Sequence, residues 1–182
     1  MKKISVSLLV FNEKHNLEKT IIRAYKTLEN SNFNYELWVF DNNSNDGTEL
    51  LVKSLLTKFN NLRYFKQEKN LGYAGNFHTA LKVPIADYKC VVDGDGQYDI
   101  ENIVECIETL DLGYDILIGI RKPRKDPKIR IFMSLILKFL SRLILGSRLV
   151  DINAGFRCMT EKAAKQIDIK YRYNFVNPEI FS

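Results

Sequence analysis

Short apolar runs recur along the chain, and most of them end in a cluster of polar residues. KISVSLLVF (3–11), YELWVFD (35–41), LRYF (62–65), YKCVVD (88–93) and YDILIGI (114–120) read as strands. Between them the apolar positions follow helical spacing. Asn16 is placed to cap a helix from 17 to about 28, and a second helix is expected over 48–59. A loop around Gly72 leads into a short helix that ends before Pro84, and a fourth helix is expected over 100–110. Strands alternating with helices predict an α/β fold: a mostly parallel sheet with helices on both faces. No repeat, linker or low-complexity stretch interrupts the pattern, so one domain is expected over residues 1–182.

In such sheets ligands bind beyond the carboxyl ends of the strands. Three polar clusters fall there: FNE (11–13), DNNSNDGT (41–48) and DGDGQYD (93–99). One such cluster is ordinarily a polar turn. Three at equivalent strand ends point to a site. The third cluster sets Asp93, Asp95 and Asp99 close together, and like charges so near call for a positive partner. A calcium loop starting at Asp93 would need Gly at its sixth position and Glu at its twelfth, but Tyr98 and Val104 stand there. Neither a GxxxxGK[ST] phosphate loop nor a GxGxxG fingerprint occurs. What remains is Asp-x-Asp at a strand end. Its oxygen ligands suit Mg²⁺ or Mn²⁺, which keep waters and bridge to substrate phosphates.

Composition narrows the picture. Hydrophobic residues at 46% and charged residues at 27% are ordinary for a globular domain. The net charge of +5 is concentrated: residues 121–130 hold six basic residues and one acidic. That segment predicts an anionic partner, a phosphate or an anionic membrane surface. Nucleic acid is not expected, because no aromatic-interleaved basic surface or reader motif accompanies the charge. The segment KIRIFMSLILKFLSRLILG (128–146) places Arg130, Ser134, Lys138 and Arg142 on one face of an otherwise apolar helix. Two roles fit it equally: a helix lying at the membrane, or a packed helix with one wet face. Cys90, Cys106 and Cys158 form no CxxC pair and are expected to be reduced, buried hydrophobes. The opening MKKISVSLLVFNE has no leader cleavage site, and no apolar run is long enough to span a bilayer.

These motifs together resemble family 2 glycosyltransferases of the GT-A, Rossmann-like nucleotide-sugar fold. The nearest likeness is to polyprenyl-phosphate sugar transferases of the dolichol-phosphate mannose synthase type. VFNEKHNL resembles the family's P-x-Y-N-E opening, with Leu9 for Pro and Phe11 for Tyr. FDNNSNDGT resembles D-D-G-S-x-D-G-T, with Asn42 and Asn43 departing from it. NLGYAGN, VDGDGQ and DINAGFR resemble the donor, metal and D-x-x-x-G-F-R stretches. The resemblance implies that Phe11, Glu13, Asp41, Asn70, Gly72 and Asp93 hold the nucleotide-sugar, and that Asp93, Asp95 and Gln97 form the metal-diphosphate site. It further implies that Arg121, Arg130 and Ser134 contact acceptor or donor phosphate, and that Asp151 lies at the reacting sugar. Relatives usually continue past the point where this chain stops, so the chain is either a short member or a truncated one.

The expected reaction is an inverting transfer from a nucleotide-diphosphate sugar. A metal between two carboxylates offsets the charge that builds on the departing diphosphate. The favoured acceptor is a polyprenyl phosphate, already largely anionic at neutral pH, so that Asp151 orients groups rather than removing a proton. A glycan hydroxyl is the alternative acceptor, and there Asp151 is the base. A nucleotidyltransferase would want a Gly-rich loop and a basic residue where FNEKHN stands. A non-catalytic nucleotide-sugar or membrane-binding module has no need of Asp93, Asp95 and Asp151 together. The expected location is cytoplasmic, peripheral at the inner membrane face.

Overall fold

The computed structural model describes residues 2–119 and 155–167. Six strands form one sheet: β1 (Lys3–Val10), β2 (Asn34–Asp41), β3 (Leu62–Lys66), β4 (Tyr88–Asp93), β5 (Ile116–Ile118) and β6 (Phe156–Thr160). Their order across the sheet is β3-β2-β1-β4-β6-β5. The first four run parallel, while β6 is antiparallel to β4 and β5 antiparallel to β6. The strand order turns back between β1 and β4, which makes the gap beyond their carboxyl ends the switch point of the sheet.

The helices are α1 (Lys14–Glu29), α2 (Thr48–Leu56), α3 (Gly72–Lys82), α4 (Ile103–Leu110) and α5 (Glu161–Gln166), with a 3₁₀ turn at Ile100–Asn102. Alternation along β1 assigns the two faces. Ile4, Val6, Leu8 and Val10 pack with Leu17, Ile21, Ala24 and Leu28 of α1 and with Ile103 and Ile107 of α4. On the other face Leu9 joins Phe77, Ala80 and Leu81 of α3, Val91 of β4 and Ala163 and Ala164 of α5. Ser5 and Ser7 on that second face are fully buried, and their small side chains let α3 lie close to β1.

Three details differ from the sequence pattern. First, α1 begins at Lys14, not after Asn16. Its first amide is met from another loop, Lys14 N–H donating to Asp46 Oδ2 at 3.1 Å, so no local side-chain cap is needed. Second, the stretch GFRCMT contributes a strand as well as a motif: β6 inserts antiparallel beside β4. Third, that insertion corrects the reading of the cysteines. Cys90 and Cys158 are register partners on β4 and β6, both fully buried, and a disulfide joins them. Only Cys106 is free. Burial raises its thiol pKa above the ordinary value. With β6 unrecognised, two cysteines 68 residues apart gave no sign of facing each other.

Candidate active site

The carboxyl ends of β1, β2 and β4 are fastened to one another. Asn42 N–H donates to Val10 O at 2.8 Å, and Gly94 N–H donates to Leu9 O at 2.8 Å. The second approach is possible only without a side chain: a Cβ at Gly94 would lie 2.7 Å from Val10 Cγ2. The loops beyond are joined as well. Asn12 and Asn43 adopt left-handed backbone, which asparagine tolerates better than most residues. Asn12 N–H donates to Ser44 Oγ at 2.9 Å, and Asn45 N–H donates to Asn12 Oδ1 at 2.9 Å. Asp46 accepts from Lys14 N–H, Thr48 N–H and Thr48 Oγ1. Desolvation opposes its ionisation, but these bonds outweigh it and hold the carboxyl below its usual range.

A cavity of about 340 Å³ opens at this edge, over the switch point. Leu9, Val10, Phe11 and Glu13 line it from β1 and the loop beyond. Asn42, Asn70, Gly72, Tyr73 and Asn76 close a second side, and Asp93, Gly94 and Asp95 a third. Six residues expected at the site from sequence therefore meet in one hollow: Phe11, Glu13, Asn70, Gly72, Asp93 and Asp95. Phe11 is 47% exposed, a flat apolar ring at the mouth where a planar ligand can stack.

Asp41 does not line the cavity. It is 0% exposed and accepts hydrogen bonds from Ser44 N–H at 2.8 Å, Ser44 Oγ at 2.6 Å and the Tyr64 hydroxyl at 2.6 Å. Burial, with the bond to Asp41 adding to it, holds the Tyr64 phenol well above its ordinary pKa. Asp41 thus shapes the 42–48 loop from beneath. Gln97 is exposed, and its backbone N–H donates to Asp95 Oδ1 at 2.9 Å. Asp151, Arg121, Arg130 and Ser134 lie outside the described residues, as does the polar stripe of 128–146.

Asn42, which looked like a departure from the motif, lies on the cavity wall. Its Nδ2 donates to Asn70 Oδ1 at 2.9 Å and Gly72 O at 3.2 Å, while its Oδ1 accepts from Leu71 N–H at 2.8 Å. Two acceptors and one donor surround it, a set that an amide satisfies and a carboxylate does not. Gly155, the glycine of DINAGFR, was not among the site residues expected from sequence. Asp93 N–H donates to Gly155 O at 2.8 Å, and Gly155 N–H donates to the Tyr98 hydroxyl. A Cβ at position 155 would lie 1.7 Å from Asp93 Oδ2, so the carboxylate rests against bare backbone.

Among the described residues no group of three His, Cys, Asp or Glu forms a complete metal cage. Asp93 and Asp95 nevertheless give two carboxylates on one wall of the cavity. That donor set suits a hard cation that completes its shell with water and ligand phosphate.

The three-layer arrangement with its cavity at the switch point is the GT-A fold. A mannosyltransferase from Pyrobaculum calidifontis, solved with GDP-mannose and Mn²⁺, superposes with a TM-score of 0.70 at 14% identity, over 98% of this chain and 50% of that one. The sequence model of glycosyl transferase family 2 matches residues 5–168, and the chain belongs to that family. A dolichyl-phosphate β-glucosyltransferase of Dictyostelium discoideum is 28% identical over 184 residues, 90% of this chain and 56% of the relative. A dolichol-phosphate mannosyltransferase of Pyrococcus furiosus is 32% identical over 119 residues, 65% of this chain and 33% of the relative. The chain thus spans from a third to just over half of these curated relatives.

Proposed function

We propose that the protein is an inverting glycosyltransferase that moves a sugar from a nucleotide-diphosphate sugar to a polyprenyl phosphate. The observation that carries this is the meeting of Phe11, Glu13, Asn70, Gly72, Asp93 and Asp95 around one cavity at the switch point. The family supports it, and two relatives are named for transfer to dolichyl phosphate.

In this reading Phe11 stacks on the base, with Glu13, Asn70 and Gly72 around the nucleoside. Asp41 acts indirectly, by holding the loop that carries Ser44. Asp93, Asp95 and Gln97 would hold Mg²⁺ or Mn²⁺. When bound, the cation offsets the charge that develops on the departing diphosphate. Arg121, Arg130 and Ser134 hold the acceptor or donor phosphate. Asp151 orients the acceptor, which as a phosphate monoester is anionic without a base. The basic 121–130 segment and the stripe of 128–146 would rest on anionic lipid at the cytoplasmic membrane face. No helix of the described residues is long and apolar enough to cross a membrane.

The test is transfer of labelled sugar from GDP-mannose and UDP-glucose, with Mn²⁺, to a short polyprenyl phosphate. Wild type should transfer, while Asp95→Asn should stay folded and transfer almost nothing. Arg130→Ala should lose about ten-fold or more in acceptor use, the weight of one charge-assisted hydrogen bond, with donor affinity unchanged. Transfer to a free sugar hydroxyl in place of the lipid would favour a glycan acceptor. Neither transfer nor donor hydrolysis would mean a binding module.

A further inference from the structure

Tyr73 stands in the first turn of α3 and lines the cavity between Asn42, Asn76 and Asp93. Its polar neighbours on that wall are already committed. Asn42 uses both ends of its amide on residues 70–72. Asn76 donates to Phe40 O at 2.8 Å and accepts from Gln67 Nε2 at 3.2 Å. Tyr73 is different. Its oxygen accepts a hydrogen bond from Arg157 Nη1 at 3.2 Å, and among the described residues its own proton goes to no acceptor. Arg157 is held in place: it is 1% exposed, and its guanidinium sits over the Phe77 ring at 5.2 Å.

The result is a phenol anchored from behind by a cation, with one unused donor. A half-buried hydroxyl of this kind gains most from an acceptor that arrives with the ligand. Burial also pushes its pKa up to about 12, so the proton stays on the oxygen at any working pH. Tyr73 is therefore a donor and not a base. A carboxylate of the metal site, Asp93, shares this part of the cavity.

We propose that Tyr73 is a donor-binding residue whose hydroxyl gives a hydrogen bond to an acceptor oxygen in the sugar-diphosphate part of the nucleotide-sugar, beside Asp93. This rests on the proposed function and adds to it a contact by a residue within NLGYAGN that is not among those the resemblance implies. The acceptor oxygen belongs either to the diphosphate or to the sugar, and the experiment separates the two.

The measurement is calorimetric titration of the full chain in Mn²⁺ with UDP, UDP-glucose, GDP and GDP-mannose. Tyr73→Phe should weaken the nucleotide-sugar that wild type binds by about three- to ten-fold, the weight of one buried hydrogen bond. Its Mn²⁺ affinity should stay within about two-fold, since no metal carboxylate is altered. An equal loss for the matching nucleoside diphosphate assigns the oxygen to the diphosphate, and no loss for it assigns the oxygen to the sugar. Leu81→Ala serves as the second variant, because it opens a void in the same core cluster, at the last turn of α3, while Leu81 does not line the cavity. It should lower the melting temperature and leave donor affinity alone. Wild-type affinity in Tyr73→Phe, or an equal loss in Leu81→Ala, overturns the inference while leaving the proposed function standing. Failure of wild type to bind any of the four nucleotides overturns both.

Discussion

Replacing Gly155 by alanine adds one methyl group at the tightest point of the site. The backbone there is not left-handed, so alanine can adopt it and the effect is steric alone. The new Cβ would lie 1.7 Å from Asp93 Oδ2, 2.2 Å from Cγ and 2.7 Å from Oδ1. Ordinary contact between such atoms is at about 3.5 Å, so carboxylate and strand must part by roughly 1.5 Å or more. Asp93 cannot simply give way inward, because its N–H is tied to Gly155 O at 2.8 Å and Gly94 behind it is pressed on Leu9. Overpacking of this kind costs about 1–3 kcal/mol, or a drop in Tm of roughly 2–12 °C for a chain of this size. The larger effect falls on the proposed metal site. Ligand positions hold to within about 0.2 Å, and displacing their supports typically lowers metal affinity about 10- to 100-fold. The assay is Mn²⁺ binding by electron paramagnetic resonance, with circular dichroism to confirm the fold. Gly119→Ala is the packing control: its Cβ would crowd Phe156 at 2.9 Å, and none of its three nearest atoms belongs to Asp93. It should lower Tm and spare the metal. If Gly155→Ala binds Mn²⁺ as wild type does, or if both variants lose it alike, the argument from contact with Asp93 is wrong.

Two further substitutions test the loops. Asp41→Ala leaves the Ser44 amide, the Ser44 hydroxyl and the Tyr64 hydroxyl without their buried acceptor, at about 1–3 kcal/mol for each group that water cannot reach. A clear fall in Tm is expected in thermal unfolding, with any loss of nucleotide affinity following from the loop. Unchanged Tm with weakened nucleotide binding would restore Asp41 to direct contact. Asn42→Asp makes the stretch more like the Asp-Asp motif, yet it sets carboxylate oxygens against Asn70 Oδ1 and Gly72 O. Losing two hydrogen bonds should weaken nucleotide-sugar binding about five-fold or more by calorimetry; equal or tighter binding would show that the amide is not needed.

The parallel part of the sheet was legible along the chain because its central strands β1 and β4 bury both faces and its outer strands β2 and β3 still read as short apolar runs. Strand ends were legible too, since charged and amide clusters such as FNE and DGDGQYD cannot continue a buried strand. From them followed the site edge and four of its cavity residues, Phe11, Glu13, Asp93 and Asp95, while Asn70 and Gly72 came from the family resemblance of NLGYAGN. Tertiary structure alone decided what depends on which strand lies beside which. β6 was hidden because GFRCMT is short and carries a buried arginine, and with it went the facing of Cys90 and Cys158 and the contact of Gly155 with Asp93. The roles within DNNSNDGT were hidden for a related reason. Asp41 and Asn42 are adjacent, but strand alternation turns one under the loop to Tyr64 and the other to the wall beside Asn70. Residue type along the chain determined that a polar, carboxylate-bearing edge exists, because polarity at strand ends is a local property. Which oxygen faces the ligand and which is sealed beneath it was set by packing between β1, β2, β4, β6 and α3, elements far apart in sequence whose contacts no local pattern encodes.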